Sequence, residues 1–229
     1  MQDYRRLAIY WAPAPGPLAE FAARWLGWDA AAGCERPHPA LAGLKTPVEE
    51  ITATPRKYGF HGTVKPPFRL APGTTAEGLH QAAAALCARL APVELLGLAL
   101  HRLGGFLALT PEGDQTALSA LAARVVAGLD GFRAPPDAAE IARRRPERLS
   151  PRQREYLDRW GYPHVMDEFR FHLTLTGDLP ADRAAVVERV LAPVLAPLCP
   201  RPFRVDSLCL FGEGADGRFR ILHRYPLSG

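Results

Sequence analysis

The chain has 229 residues, 48% of them hydrophobic and 23% charged, with 28 Lys and Arg against 24 Asp and Glu and a formal net charge of +4. That length and balance describe a polypeptide that buries a core, which excludes a disordered or low-complexity chain and leaves room for one large domain or two packed lobes. A pI near 9.0 favours an anionic partner, but the arginines are almost matched by carboxylates, so a small phosphate ester fits better than a nucleic acid.

No stretch approaches the ~18 uninterrupted apolar residues of a membrane span. The apolar run Leu7–Trp11 is too short for a secretory leader and is broken at Pro13. Cys34, Cys87, Cys199 and Cys209 are scattered without a C-x-x-C, which reads as a reducing, cytoplasmic protein.

Taken in chain order, the elements spell one arrangement twice. Leu7–Trp11 alternates and is rich in β-favouring residues, and Pro17 to Leu26 reads as an amphipathic helix stopped by Gly27. After a Pro- and Gly-rich loop comes the strand sequence FHGTVKPPF, then a helix over 76–90 entered through Pro72-Gly73-Thr74-Thr75. Val93–Leu100 and Gly105–Leu109 form a strand pair. The second copy runs from Phe106–Leu109 into a helix over 116–129, reaches FRFHLTLTG, and continues into a helix from Ala181 kinked or ended near Pro193 and Pro197. Phe203–Leu210 and Arg218–Tyr225 read as a hairpin across Glu213–Gly217.

Between the copies, the charge-dense segment Arg133–Pro163 has no counterpart in the first half. Ser150-Pro151-Arg152-Gln153 supplies an N-cap, a first-turn proline and the Gln of a capping box, with Gly161 as the stop, so Pro151–Trp160 reads as a surface helix: a lid or an appendage. These elements predict an α+β fold of two similar lobes, about 1–103 and 104–229. Each lobe is an antiparallel sheet with helices on its outer face, and the sheets face a central cleft.

Residues two apart on a strand share a face. In Phe169–Thr176 the polar face is Arg170, His172, Thr174 and Thr176; in Lys57–Lys65 it is Lys57, Gly59, His61, Thr63 and Lys65. One His-x-Thr is common by chance, but two at equivalent places in a duplicated order point to function. Imidazole titrates nearest neutrality, so one copy can act as base and the other as acid, while each hydroxyl donates to phosphoryl oxygens. His61, Thr63, His172 and Thr174 are therefore the predicted catalytic residues, with the roles of the two histidines left open. Lys65, Arg170, Thr176 and Arg133 are the predicted phosphate contacts. Tyr58 falls on the core face by parity, Arg56 and Lys57 read as loop charges, and Arg143–Arg145 reads as a solvated helix face. No metal and no cofactor is expected: two histidines give only two nitrogen ligands, and no H-E-x-x-H, P-loop or G-x-G-x-x-G is present.

With both motifs placed, the chain resembles the 2H phosphoesterase superfamily, named for paired His-x-Thr/Ser motifs on a bilobal duplicated fold. YGFHGTVKPPF (58–68), FRAPPDAAEIARRRPERLSPRQREYLDRWGYP (132–163) and FRFHLTLTG (169–177) are similar to its phosphonate-metabolism branch, filed as a domain of unknown function. The resemblance implies a bacterial cytoplasmic cyclic phosphodiesterase acting on a small phosphorylated substrate, a ribosyl cyclic phosphate being the family-level expectation. The alternatives are RNA-end processing at a 2′,3′-cyclic phosphate or 2′–5′ linkage, and a binding protein without turnover.

Overall fold

The computed structural model describes residues 4–229. In chain order the elements are β1 (Leu7–Trp11), α1 (Pro17–Leu26), β2 (Trp28–Asp29), β3 (Cys34–Glu35), α2 (Val48–Ile51), α3 (Ala53–Arg56), β4 (Gly62–Phe68) and α4 (Ala76–Cys87). There follow β5 (Val93–Leu95), β6 (Gly97–Leu103), β7 (Phe106–Glu112), α5 (Thr116–Gly128), α6 (Ala138–Ala142), α7 (Pro151–Trp160), β8 (Leu173–Thr174), α8 (Ala181–Leu195), β9 (Phe203–Val205), β10 (Ser207–Glu213) and β11 (Phe219–Pro226).

Seven strands form an antiparallel array in the order β11-β10-β1-β4-β8-β7-β6. It consists of two groups, one built around β1 and β4 and the other around β7 and β8. The groups are joined through β4 and β8 at a single register pair, Gly62 with Leu173. The fold is thus α+β with antiparallel pairing throughout, as the sequence predicts. The C-terminal hairpin β10–β11 pairs with β1, and β6 and β7 pair beside β8, so the two strand groups interleave along the chain.

The two faces of this array have different jobs. Leu7, Ile9 and Trp11 of β1, Val64 of β4, Leu107 and Leu109 of β7 and Leu208 and Leu210 of β10 lie in the main core cluster. Trp25 and Leu26 of α1, Leu79 and Ala83 of α4, Leu121 and Val125 of α5 and Leu191 of α8 join them, so these helices cover one face. The alternate residues Ala8, Tyr10, Cys209, Phe211 and Phe219 form a second apolar bed on the other face. Alternation of strand side chains thus leaves one face packed under helices and the other available to a ligand.

Local signals place the helix ends as read. Gly27 closes α1 at φ 74°, and α7 has the full Ser150–Gln153 capping box with Gly161 at φ 72°. Tyr156 and Leu157 of α7 are buried, and Tyr156 packs with Val126 and Val165 in a third apolar cluster. Pro193 lies inside α8, which runs on to Leu195. Among the described residues no helix is long and apolar enough to cross a membrane.

Candidate active site

The junction of β4 and β8 brings the two His-x-Thr segments together. Continuing the Gly62–Leu173 register by one residue each way sets His61 beside Thr174 and Thr63 beside His172. That continuation puts the four residues on the face opposite Gly62 and Leu173, with His61 and His172 as diagonal neighbours whose backbones lie about 7–8 Å apart by ordinary sheet geometry. His61, Thr63 and Thr174 line a cavity of about 240 Å³ with Arg6, Tyr10, Tyr58, Arg144 and Tyr162.

Gly62 makes this junction possible. A β-carbon there would lie 2.2 Å from a ring carbon of Phe171, whose buried ring crosses the core side of the glycine. The middle residue of the first motif is therefore the space through which the second strand packs.

Both imidazoles are held alike. Nδ1 of His61 lies 2.9 Å from the carbonyl of Gly59, and Nδ1 of His172 lies 2.8 Å from that of Arg170. A carbonyl only accepts, so each Nδ1 carries a proton, which leaves Nε2 as the position of each ring able to exchange one. Thr63 Oγ1 lies 3.2 Å from Nε2 of His61 and donates to it.

The environment of His61 is strongly apolar. Its ring stacks on Tyr10 at 3.9 Å between centroids, with Tyr58 and Phe211 further out. Burial pushes its pKa down from 6.5 to about 4; the Gly59 carbonyl opposes the shift and the charge of His172 adds to it. His61 is therefore neutral near pH 7.

None of the four predicted phosphate contacts lines this cavity. Between Ile9–Lys65 and Tyr10–Thr63 the β1–β4 register slips by one residue. This bulge, next to Pro66 and Pro67, turns Lys65 off the face of Thr63. Lys65 is 1% exposed, and its amine donates to the Val126 carbonyl at 3.0 Å and to Asp130 at 3.1 Å. Thr176 is also buried, accepting a hydrogen bond from the Leu107 amide. Arg170 folds back onto the carbonyls of Phe169 and Asp167. Arg133 is tied to Asp130 at 2.8 and 3.0 Å and to the Arg159 carbonyl, and lines an adjoining pocket rather than the cavity itself.

Other residues take those places. Strand alternation extended back from His61 put Tyr58 in the core, but residues 57–61 are not strand and Gly59 stands at φ 72°, which rotates Tyr58 into the cleft. Gly59 also lies against Ala30, where a β-carbon would approach the Ala30 methyl to 2.6 Å. Arg56, read as a loop charge, instead binds the Leu26 carbonyl, Glu49 and Thr52, fixing the turn before the first motif. Arg144 and Tyr162 come from the inserted segment, which forms one wall of the cleft.

The chain belongs to the family described as protein of unknown function (DUF1045), whose model matches residues 63–220. This is the branch to which its motif strings are similar. Among curated proteins it is 35% identical over 238 residues to a ribose 1,5-bisphosphate phosphokinase PhnN of Janthinobacterium sp. (strain Marseille), covering all of this chain and 52% of that one. It is 35% identical to the protein of the same name in Laribacter hongkongensis (strain HLHK9), covering 94% of this chain and 50% of that one. The chain thus spans about half the length of the curated relatives it matches. A solved structure of E. coli LigT complexed with 3′-AMP aligns over 99% of this chain and 100% of that one, at 17% identity and a TM-score of 0.45.

Proposed function

We propose that the cleft hydrolyses a small cyclic phosphodiester by paired-histidine acid–base catalysis without a metal. The observation that carries the reading is the junction of β4 and β8, which sets two imidazoles with the same Nδ1–carbonyl tether beside two threonine hydroxyls. The cavity lining contains no carboxylate, a donor set suited to an anion and poor for a hard cation.

His61, kept neutral by burial, takes a proton from water as its oxygen attacks phosphorus. His172, holding the proton, gives it to the ester oxygen that leaves on the opposite side, and the ring opens to a phosphate monoester. Thr63 and Thr174 donate to the non-bridging oxygens, where charge builds. The relatives' name mentions a ribose bisphosphate, which supports a ribosyl cyclic phosphate as substrate. The chain has no G-x-x-x-x-G-K-[ST] segment, so the phosphokinase activity in that name is not carried over. A cytoplasmic role in phosphonate breakdown follows from the motif resemblance.

Turnover of ribosyl 1,2-cyclic phosphate or nucleoside 2′,3′-cyclic phosphates in excess chelator is the test. The base is active when unprotonated, so kcat/KM is expected to climb as pH rises through about 4, where His61 loses its proton, and then level off. It falls again at higher pH as the acid is deprotonated. Activity that vanishes with chelator and returns with a divalent ion would overturn the metal-free reading.

A further inference from the structure

We propose that the hydroxyl of Tyr10 holds the attacking water together with His61, which makes Tyr10 a further catalytic residue beside the two histidines. The inference rests on the phosphodiesterase reading above and assigns a part of the same site that the paired motifs leave out.

Tyr10 lies within β1 and is 1% exposed, its ring bedded against Phe211 at 4.9 Å and Phe219 at 6.2 Å between centroids. Among the described residues its hydroxyl has no hydrogen-bond partner. No fully enclosed side-chain nitrogen or oxygen among those residues is left unpaired, so this hydroxyl opens onto the cavity that Tyr10 lines. A phenylalanine would fill the same bed without hiding a polar group, and an unpaired hydroxyl in an apolar setting costs stability. The oxygen is retained for what enters the cavity.

Its position says what it meets. Tyr10 pairs with Thr63 across β1 and β4, and its ring stacks on His61 at 3.9 Å between centroids. In the strand order β1-β4-β8 it flanks His61 on the side away from His172. The ester oxygen departs toward His172, so the in-line nucleophile enters on the side of His61, where the phenol stands. Arg6, the cation that acts on this phenol, is bound by Glu213 at 2.6 and 2.8 Å. Burial, with Tyr58 adding to it, holds the phenol proton well above the usual range, so the group stays neutral across the working range.

A neutral phenol both accepts and donates. Water gives one hydrogen bond to Nε2 of His61 and the other to the Tyr10 oxygen, which leaves a lone pair for phosphorus; the phenol proton goes to a phosphoryl oxygen. In the step itself the water oxygen bonds to phosphorus and its proton passes to His61. The ester P–O bond breaks, and the departing oxygen takes the proton of His172. Tyr10 keeps its own proton throughout. Its packed ring sets this orientation before substrate arrives.

Tyr10→Phe keeps the ring, the stack and the burial and removes only the oxygen. With adenosine 2′,3′-cyclic phosphate its kcat is expected to fall by about ten- to a hundredfold, the scale of loss when a reactant is held out of place, with KM unchanged. The acid limb should stay near pH 4, because His61 is still buried. Product ratios in mixtures of methanol and water read the contact itself. Methanol has one hydroxyl hydrogen, so it satisfies His61 but not Tyr10 as well, and native protein should form the methyl diester less readily than the monoester. In Tyr10→Phe protein that preference for water is expected to shrink severalfold. Urea unfolding should show the variant at least as stable as native protein; a marked loss would show that the hydroxyl serves the fold and would overturn the inference. An unchanged kcat would overturn it too and leave the phosphodiesterase reading standing. A lowered kcat with an unchanged product ratio would overturn the assignment to water. Native protein that opens no cyclic diester would sink the phosphodiesterase reading and the role of Tyr10 with it.

Discussion

His61→Ala and His172→Ala are each expected to lower kcat/KM for a cyclic phosphodiester by ~10²–10⁴-fold, the range that one positioned proton-transfer group contributes. The double variant should be little worse than either single one, because two groups passing protons in a single step act as a unit and their losses do not add. The pH profile separates the roles. Loss of the base should abolish the acid limb near pH 4, because burial against Tyr10 sets that limb at His61. Loss of the acid should leave that limb and remove the alkaline one. Steady-state kinetics on both variants, with circular dichroism confirming the fold, reads this directly; single variants that keep more than about a tenth of native activity would contradict it.

Gly62→Ala should cost more stability than any exposed substitution on the same strand. The added methyl would stand 2.2 Å from a buried ring carbon of Phe171, so either the ring leaves its place beside Trp11 and Phe203 or β4 and β8 separate. Overpacking of this kind costs about 1–3 kcal/mol, and the short approach to a rigid ring argues for the upper end. Because Gly62 carries the only register pair between these strands among the described residues, the same change should also displace His61 from His172. Adding Phe171→Leu in the same chain should recover part of the loss, since neighbouring sites couple. Urea unfolding of the two single variants and the double variant gives the interaction energy, and purely additive effects would show that the ring is not what the methyl meets.

The parts legible in the sequence were those set by local chemistry. Gly27, the Ser150–Gln153 box and Gly161 fixed helix ends because each satisfies or terminates a backbone ladder on the spot. The two His-x-Thr segments stood out because a pattern repeated in equivalent places is readable without coordinates. What failed was strand parity carried beyond the strand. Lys65 lies past a bulge that no alternation rule anticipates, and Tyr58 lies before a glycine with positive φ; each moved a side chain to the opposite face. Thr176 and Arg170 were misplaced because β8 spans only Leu173–Thr174, and on either side of it hydrogen bonding to Leu107 or to local carbonyls decides orientation. The duplicated order of elements did not reveal that the C-terminal hairpin completes the sheet around β1, since pairing between distant strands leaves no local mark. The long Arg133–Pro163 insertion read as surface for the same reason: its Arg144 and Tyr162 acquire meaning only opposite Tyr58.

The central claim is that two rings, one beside Tyr10 and the other near Phe106, touch the same tetrahedral anion. Side-chain ¹⁵N NMR during titration with orthovanadate tests it most directly. The Nε2 resonances of His61 and His172 should move together along one binding curve with one Kd, while His80 and His223, paired with each other near Tyr225, stay still. Movement of only one of the two catalytic-face imidazoles, or two curves with different midpoints, would contradict the account.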